Sequence, residues 1–525
     1  MIAVSDAWKD IQQRFLLPEG FVEISCAITE EGLQESATAS GTNEAVFSDI
    51  SKILDTSDVS SGAKYATNEH NFWVLDGSRT VLPDTGPYNG VGYASDIEAT
   101  GSVVITLPEV HTAPIPGVTI TWSDEYGEYP SVFTVTAKNG ESVVAELTVT
   151  DNTTRESVVD LELSDYDSVI ITVQNWCLPH RRARIEKIAL GHILVLTKND
   201  IISYTHEQYG DLLTGELPKN HIEFSLDNTD GRWNPNNPTG MEKYLAERQK
   251  LTVRYGLDVN GAIEWIKAGT FYLSEWRTPS NGLEATFAAR DVFEFLIDAE
   301  MKPAVYDTLK GLIEWVASAF LPSDAVVEID NSLDNYSKGY TGDSSAAEIV
   351  QKCANAGGCV LRYDRDGVLH VEPLNVAYAG YIITQALSYS HPEVELSKPL
   401  KAVSVDYGEE TPYELSVASV GETQMVSNDF VTTAEQAEFV ADWVHNTLKM
   451  RKTVSGEYRA DPRLDLFDIV AVESKYGVIA PVVITNIKYT YNGSFRGSYT
   501  GKVIETAQPV LGAFVLGRDV LGLEV

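Results

Sequence analysis

Bases are scarce in this chain, and so are the residues that build metal sites and disulfide frameworks. Across 525 residues, 39 Lys and Arg face 76 Asp and Glu, a formal net charge of −37. Gripping a nucleic-acid backbone takes a basic face, and a mean field of this sign repels polyanions, so specific nucleic-acid binding is excluded. Four cysteines (Cys26, Cys177, Cys353, Cys359) are too few for a disulfide framework at this length and are read as reduced, mostly buried thiols. The nine histidines stand singly, none with a second His or a Cys at ligand spacing, so neither a metal nor a cofactor is expected. The chain has no H-E-x-x-H, no G-x-S-x-G, no phosphate-binding G-x-x-x-x-G-K-[ST] and no Cys-x-x-Cys. Gly90-Val91-Gly92 lacks the third glycine and the strand–helix setting of a dinucleotide site. No apolar run approaches the ~20 residues of a membrane helix, and "IALGHILVLT" is broken at Gly191 and His192. "MIAVSDAWKD" has neither a basic nor an apolar leader region, so a soluble chain made in a cytoplasm is expected.

What is present is apolar and aromatic: 43% hydrophobic and 10% aromatic residues, enough for several packed cores. The length suggests roughly three to four domains. Residues 1–44 hold a short helical start and then a segment of strand composition. Between 45 and 178, short runs rich in Val, Ile, Thr, Tyr and Phe alternate with Gly, Pro, Asn and Asp, the texture of an antiparallel β-sandwich. "TVTAKNG" followed by "ESVVAEL" predicts a hairpin turning at Asn139-Gly140. Residues 179–300 are β-rich with different punctuation, and "HRRAR", 180–184, opens what reads as one strand from Ile185 to Leu196. That cluster, with Arg181 and Arg182, is assigned a structural or interface role.

The pattern turns helical beyond 300. Leu309, Leu312, Ile313, Val316, Ala317 and Phe320 share one helical face. Ser345 and Glu348 have capping-box spacing ahead of Ala346, Ile349, Val350 and Cys353, and a hairpin should turn at Asp366-Gly367. From about 396 strands return, with Val403, Val405 and Tyr407 alternating against Ser404 and Asp406. One helix interrupts them, with Ala437, Val440, Ala441, Val444 and Leu448 in register. "VLG" recurs at Val510, Val515 and Val520, a spacing of neither helix nor strand, which reads as an extended docking tail over 506–525.

Two segments invite a chemical reading. In "TWSDEYGEYP", Asp124 and Glu125 lie beside Trp122, Tyr126 and Tyr129. Aromatic faces stack on sugar C–H surfaces while carboxylates accept hydroxyl hydrogen bonds, so Trp122, Asp124, Tyr126 and Tyr129 are the candidate glycan contacts; the alternative is an ordinary sandwich hairpin. "IEFSLDNTDGRWNPNNPTG", 222–240, packs Asp and Asn around Trp233. A calcium loop needs oxygens at positions one, three and five, then Gly at six. Counting from Asp227, position three is Thr229 and position five Gly231, so the register fails. Asp and Asn that bond their own backbone, with Asn-Pro at 234–235 and 237–238, describe successive rigid turns instead. Asp227, Asp230 and Trp233 are then turn and interface anchors.

The same segment, followed by "LAERQKLTVRYGLD", "IKAGTFYLSEWRT" and "LEATFAARD", resembles the first domain of bacteriophage tail hub (baseplate hub) proteins. "AAEIVQKCANAGGCVLRYDRDGVLHVEPL" is similar to the hub's helix and hairpin, and "ELSKPLKAVSVDY" to the strand opening its next β domain. "YRADPRLDLFDIVAVES" resembles the closing strand pair, where such families often have Gly-Asp and this chain has Phe467-Asp468. The likeness covers roughly 179–505. Within 45–178, "FWVLDGS" resembles galactose-binding-like carbohydrate modules.

The resemblance implies a mainly β, multidomain fold: hub-type β-barrel domains, a small α+β unit and an inserted antiparallel β-sandwich. The first barrel would comprise 1–44 and 179–300, split by the insertion at 45–178. The α+β unit would span 301–395, the second barrel 396–505 and the tail 506–525. The implied work is structural and non-enzymatic: a homo-oligomer, a trimer in such hubs, closing the tail tube. Its partners would be distal tail, tape-measure and tip or fibre proteins, its place the virion tail tip, its assembly in the host cytoplasm. The competing reading is a host-glycan-binding adhesion protein acting through 45–178. A polysaccharide-degrading enzyme is a third, disfavoured by the missing leader and the missing site.

Overall fold

The computed structural model describes residues 1–14, 19–28, 33–41, 53–54, 65–66, 80–81, 91–95, 101–122, 127–234, 236–237, 240–241, 244–278, 282–301, 308–335, 344–375 and 378–504. "FWVLDGS" and the "VLG" tail lie outside them. The fold is mainly β and multidomain. It divides into two compact units, one of Met1–Ile24, Leu196–Glu242 and Ala246–Val525, the other of Ser25–Val195 with Lys243–Leu245.

The second unit holds a five-stranded antiparallel sheet in the order Thr38–Gly41, Ser102–His111, Tyr166–Trp176, Pro130–Asn139, Ser142–Val149. Period-two patterning builds it: Ser102–His111 buries Val103, Ile105 and Leu107 and turns the residues between them outward. Gly140 sits at φ +56° between Asn139 and Ser142, a left-handed turn position that costs glycine little. A three-stranded sheet runs Glu156–Leu163, Ile115–Thr121, Lys187–Leu190. One hydrophobic cluster draws on both sheets, including Ile105, Ile120, Phe133, Val159, Ile171 and Ile188. This unit is wider than 45–178 because Thr38–Gly41 and Lys187–Leu190 pair into its sheets. The single strand read over 185–196 is three strands: Arg181–Ile185, Lys187–Leu190 and His192–Leu196. They break at Glu186, whose N–H bonds the Thr121 carbonyl at 2.9 Å, and at Gly191.

The first unit is organised by one long sheet. Its strands follow the order Gly20–Ile28, Lys250–Val259, Ala262–Arg277, Glu284–Arg290, Lys219–Asp227, Ile201–Tyr209, Gly477–Tyr491, Phe495–Val503, Lys452–Tyr458, Glu393–Leu396; Ile469–Ser474 pairs with Gly477–Tyr491 and with Tyr378–Ile383. The two barrels read as separate domains thus share a continuous ladder, and no closed barrel forms among the described strands. The link is Ile201–Tyr209, which pairs antiparallel with Lys219–Asp227 on one side and Gly477–Tyr491 on the other.

Helices Leu309–Phe320, Ala346–Ala356 and Ala434–Leu448 gather on a second core in this unit. Thr308 caps Leu309–Phe320 by accepting from the Gly311 N–H at 3.0 Å; Leu309, Leu312, Ile313 and Val316 are buried, Ala317 and Phe320 half-buried. Ser345 caps Ala346–Ala356 through the Glu348 N–H at 3.3 Å, and Ala346, Ile349, Val350 and Cys353 are all buried. Val360–Tyr363 and Val368–Glu372 form the hairpin, with Gly367 at φ +90°. Strand Leu400–Asp406, expected to open the second barrel, lies instead in a three-stranded sheet with Tyr413–Ser416 and Glu422–Ser427. Val403 and Val405 join helix residues Val440 and Val444 in the same cluster as Ile313 and Val350, so this core extends well past 395. No helix among the described residues is long and apolar enough to cross a membrane.

Candidate functional site

The Asp-Asn-Pro segment is a corner tied to its own backbone. Asp227 Oδ1 accepts from the Thr229 N–H, Asp230 Oδ1 from the Arg232 N–H, both at 3.0 Å, and Asn234 Oδ1 from the Asn236 N–H at 2.9 Å. Each is the two-residue Asx bond by which these side chains imitate a turn. Gly231, Asn234, Asn237 and Gly240 each donate to the carbonyl three residues back. Asn228 Oδ1 takes the Trp233 N–H at 2.8 Å, and Asn228 Nδ2 donates to the Gly282 carbonyl at 3.0 Å. Trp233 is 3% exposed, edge-on to Phe287 with centroids 5.3 Å apart. Oxygens that would ligate an ion hold backbone instead, and Trp233 packs rather than offering a face. Among the described residues no group of three or more His, Cys, Asp and Glu could hold a metal.

Of the four glycan candidates, Trp122 and Tyr129 fall among the described residues. Trp122 is 0% exposed; its Nε1 donates to Ser157 Oγ at 2.8 Å, and its ring meets Phe133 and Trp176 edge-on. A ring with no exposed face offers a sugar no stacking surface; Trp122 follows strand Ile115–Thr121, which is buried along nearly its whole length. Tyr129 is half-buried against the same core, and Asp124 and Tyr126 lie outside the described residues. Arg181 Nε pairs at 3.2 Å with Glu128, whose Oε2 also accepts from Trp176 Nε1 at 2.9 Å. Arg181 therefore braces a buried carboxylate; Arg182 is in strand Arg181–Ile185, opposite Ala94.

Two features escaped the sequence reading. The first is a buried polar joint. Burial lowers His206 to about pH 4, so the ring is neutral near pH 7. It accepts from the Tyr255 hydroxyl at Nδ1 (2.7 Å) and donates from Nε2 to Asn220 Oδ1 (2.8 Å), while Tyr204 and Tyr255 share a 2.9 Å bond. Beside it, buried Arg365 donates to the carbonyls of Pro462 (2.6 Å), Leu464 (2.7 Å) and Lys267 (3.2 Å), and its Nε lies 3.5 Å from Asp465. Gln208 Nε2 reaches the same carboxylate at 2.9 Å. This joint fastens the α+β hairpin to the long sheet. Its signal was the alternation of Tyr204, His206 and Gln208 inward along one strand.

The second is the open end of the long sheet. Strand Glu393–Leu396 pairs only with Lys452–Tyr458 among the described residues, and all four of its residues are exposed. Val394 is 49% and Leu396 63% exposed. Unpaired N–H and C=O groups flanked by exposed apolar side chains form a template for another strand.

No family model and no curated protein matches the chain. Solved structures similar to it include tail proteins. The 43 kDa tail protein of prophage MuSo2 from Shewanella oneidensis is 15% identical, with a TM-score of 0.44 over 59% of this chain and 95% of its own. A tail protein from Neisseria meningitidis MC58 is 12% identical, at 0.42 over 60% and 94%. Prophage tail protein gp18 from Listeria monocytogenes EGD-e is 12% identical, at 0.39 over 61% and 94%.

Proposed function

We propose that this chain is a structural, non-enzymatic component of a phage tail tip or baseplate: an oligomeric hub that closes the tail tube and joins it to tip and receptor-binding proteins. The observation that carries the reading is the open edge at Glu393–Leu396, where a paired sheet ends on exposed Val394 and Leu396. Copies of the chain meeting there, three to a ring, would satisfy the unpaired backbone and cover both side chains. The corner at 227–240 serves such a role as a stiff, metal-independent bracket. The net charge of −37 favours a lumen that repels passing DNA rather than gripping it. Distal tail, tape-measure and fibre proteins are the partners this role requires. Buried Trp122 lends no support to glycan binding through the inserted unit. Gold-labelled antibody against the chain should decorate the tail tip of intact virions; label on the head, or none on virions, would defeat the reading.

A further inference from the structure

The described chain ends beside a groove of about 400 Å³, and a short way beyond it residues 509–517, "PVLGAFVLG", are apolar. Strand Phe495–Val503 lines the groove with Thr500 and Lys502, two residues before Ile504, where description stops. Leu212, Leu213, Leu400, Leu448 and Met450 supply its apolar wall; Leu212 is buried and the other four are half-buried. Its charged groups already have partners. Lys398 pairs with Glu422 at 2.5 Å, Lys502 Nζ donates to Thr453 Oγ1 at 2.8 Å, and Asp211 accepts the N–H groups of Leu213, Gly215 and Glu216. An ionic ligand would have to displace these, whereas an apolar segment need only cover the leucines and Met450.

We propose that the groove is the seat of this chain's own tail, with Val510, Leu511, Val515 and Leu516 against Leu400, Leu448 and Met450. Position argues for the same chain: the five residues 505–509 span up to about 17 Å when extended, enough to turn back from Ile504 into the groove. A tether this short holds the tail at an effective concentration of roughly millimolar or above, which a second copy in dilute solution does not match. Volume agrees, since pockets of about 300–1,000 Å³ take ligands of a few side chains. The inference is independent of the tail-hub reading; it concerns how the chain covers its own apolar groove.

Two measurements on the full chain test it. Met450→Cys combined with Leu511→Cys should oxidise to a disulfide within one chain, read by the mass of the intact protein and of its tryptic peptides. Linkage only between two chains, or none, overturns the proposal. Leu511→Asp with Leu516→Asp should speed hydrogen exchange in 397–400 and 447–450 by about tenfold, the factor expected when a contact worth about 1.4 kcal/mol is lost. Strand Ile201–Tyr209 should exchange as before, which guards against a general loss of fold. Unchanged exchange along the groove overturns the proposal equally.

Discussion

Asn228 holds the backbone of Trp233 across five residues, its Oδ1 at 2.8 Å from the Trp233 N–H. With Asn228 1% and Trp233 3% exposed, no solvent replaces the bond. Asn228→Ala orphans two backbone groups, the buried Trp233 N–H and the half-buried Gly282 carbonyl. At about 1–3 kcal/mol each, the corner should lose about 3 kcal/mol. Asp230→Ala removes an exposed bond of 3.0 Å and should cost under about 1 kcal/mol. Hydrogen exchange over 228–241 reads both, and calcium should change neither value. Equal costs, or protection by calcium, would contradict the structural account of the corner.

Phe467 stands at φ +63°, a left-handed conformation that favours glycine, and its ring lies over Gly210, where an added Cβ would meet the ring at 2.4 Å. Two effects oppose one another in Phe467→Gly. Relief of backbone strain gains about 1–2 kcal/mol, while emptying a buried phenylalanine site costs about 3–5 kcal/mol. The cavity wins, so the variant should unfold at lower temperature by calorimetry. A stabilised variant would show that the ring's packing with Leu212, Leu466 and Val483 is worth less than the strain.

Two buried groups give stability opposite pH slopes. Burial raises Asp291 to about 7 against an unfolded value of about 3.9. Between these values the native state binds more protons than the unfolded chain, so this group's contribution is lost as pH rises through about 7. Burial lowers His206 to about 4 from about 6.5; there the unfolded chain binds more protons, and stability is lost as pH falls towards 4. Asp291→Asn keeps the oxygen that accepts the Phe293 N–H at 3.0 Å and removes the first slope. Urea unfolding should therefore show the variant gaining more stability than the parent between pH 4.5 and 6.5. Parallel pH curves would contradict the assignment.

Local devices were legible and non-local ones were not. The Ser345–Glu348 cap, the Asp366-Gly367 hairpin and the Asx bonds at 227–236 each close within a few residues, so spacing alone reveals them. Val403 and Val405 are buried strand residues as expected, but Ser404, read as facing solvent, is buried too at 6% exposure, because a helix 30 residues later covers this sheet. The joint around His206 gathers positions 206, 220, 255, 365 and 465, and no local pattern links them. The burial of Trp122 had no local signal, because an aromatic beside acids looks the same whether its ring points in or out. Phe467 shows the reverse case: a departure from the Gly-Asp of hub-like sequences marked a backbone position that the structure holds at positive φ.

The central claim, that copies of the chain meet at the open sheet edge, is tested most directly by light scattering on the full chain beside Leu396→Lys. Leu396 is 63% exposed, so lysine leaves the single chain's packing intact while placing a charge in any strand-to-strand contact. The account predicts the mass of three chains for the parent and of one chain for the variant. A parent that stays monomeric, or a variant that assembles as the parent does, would contradict it.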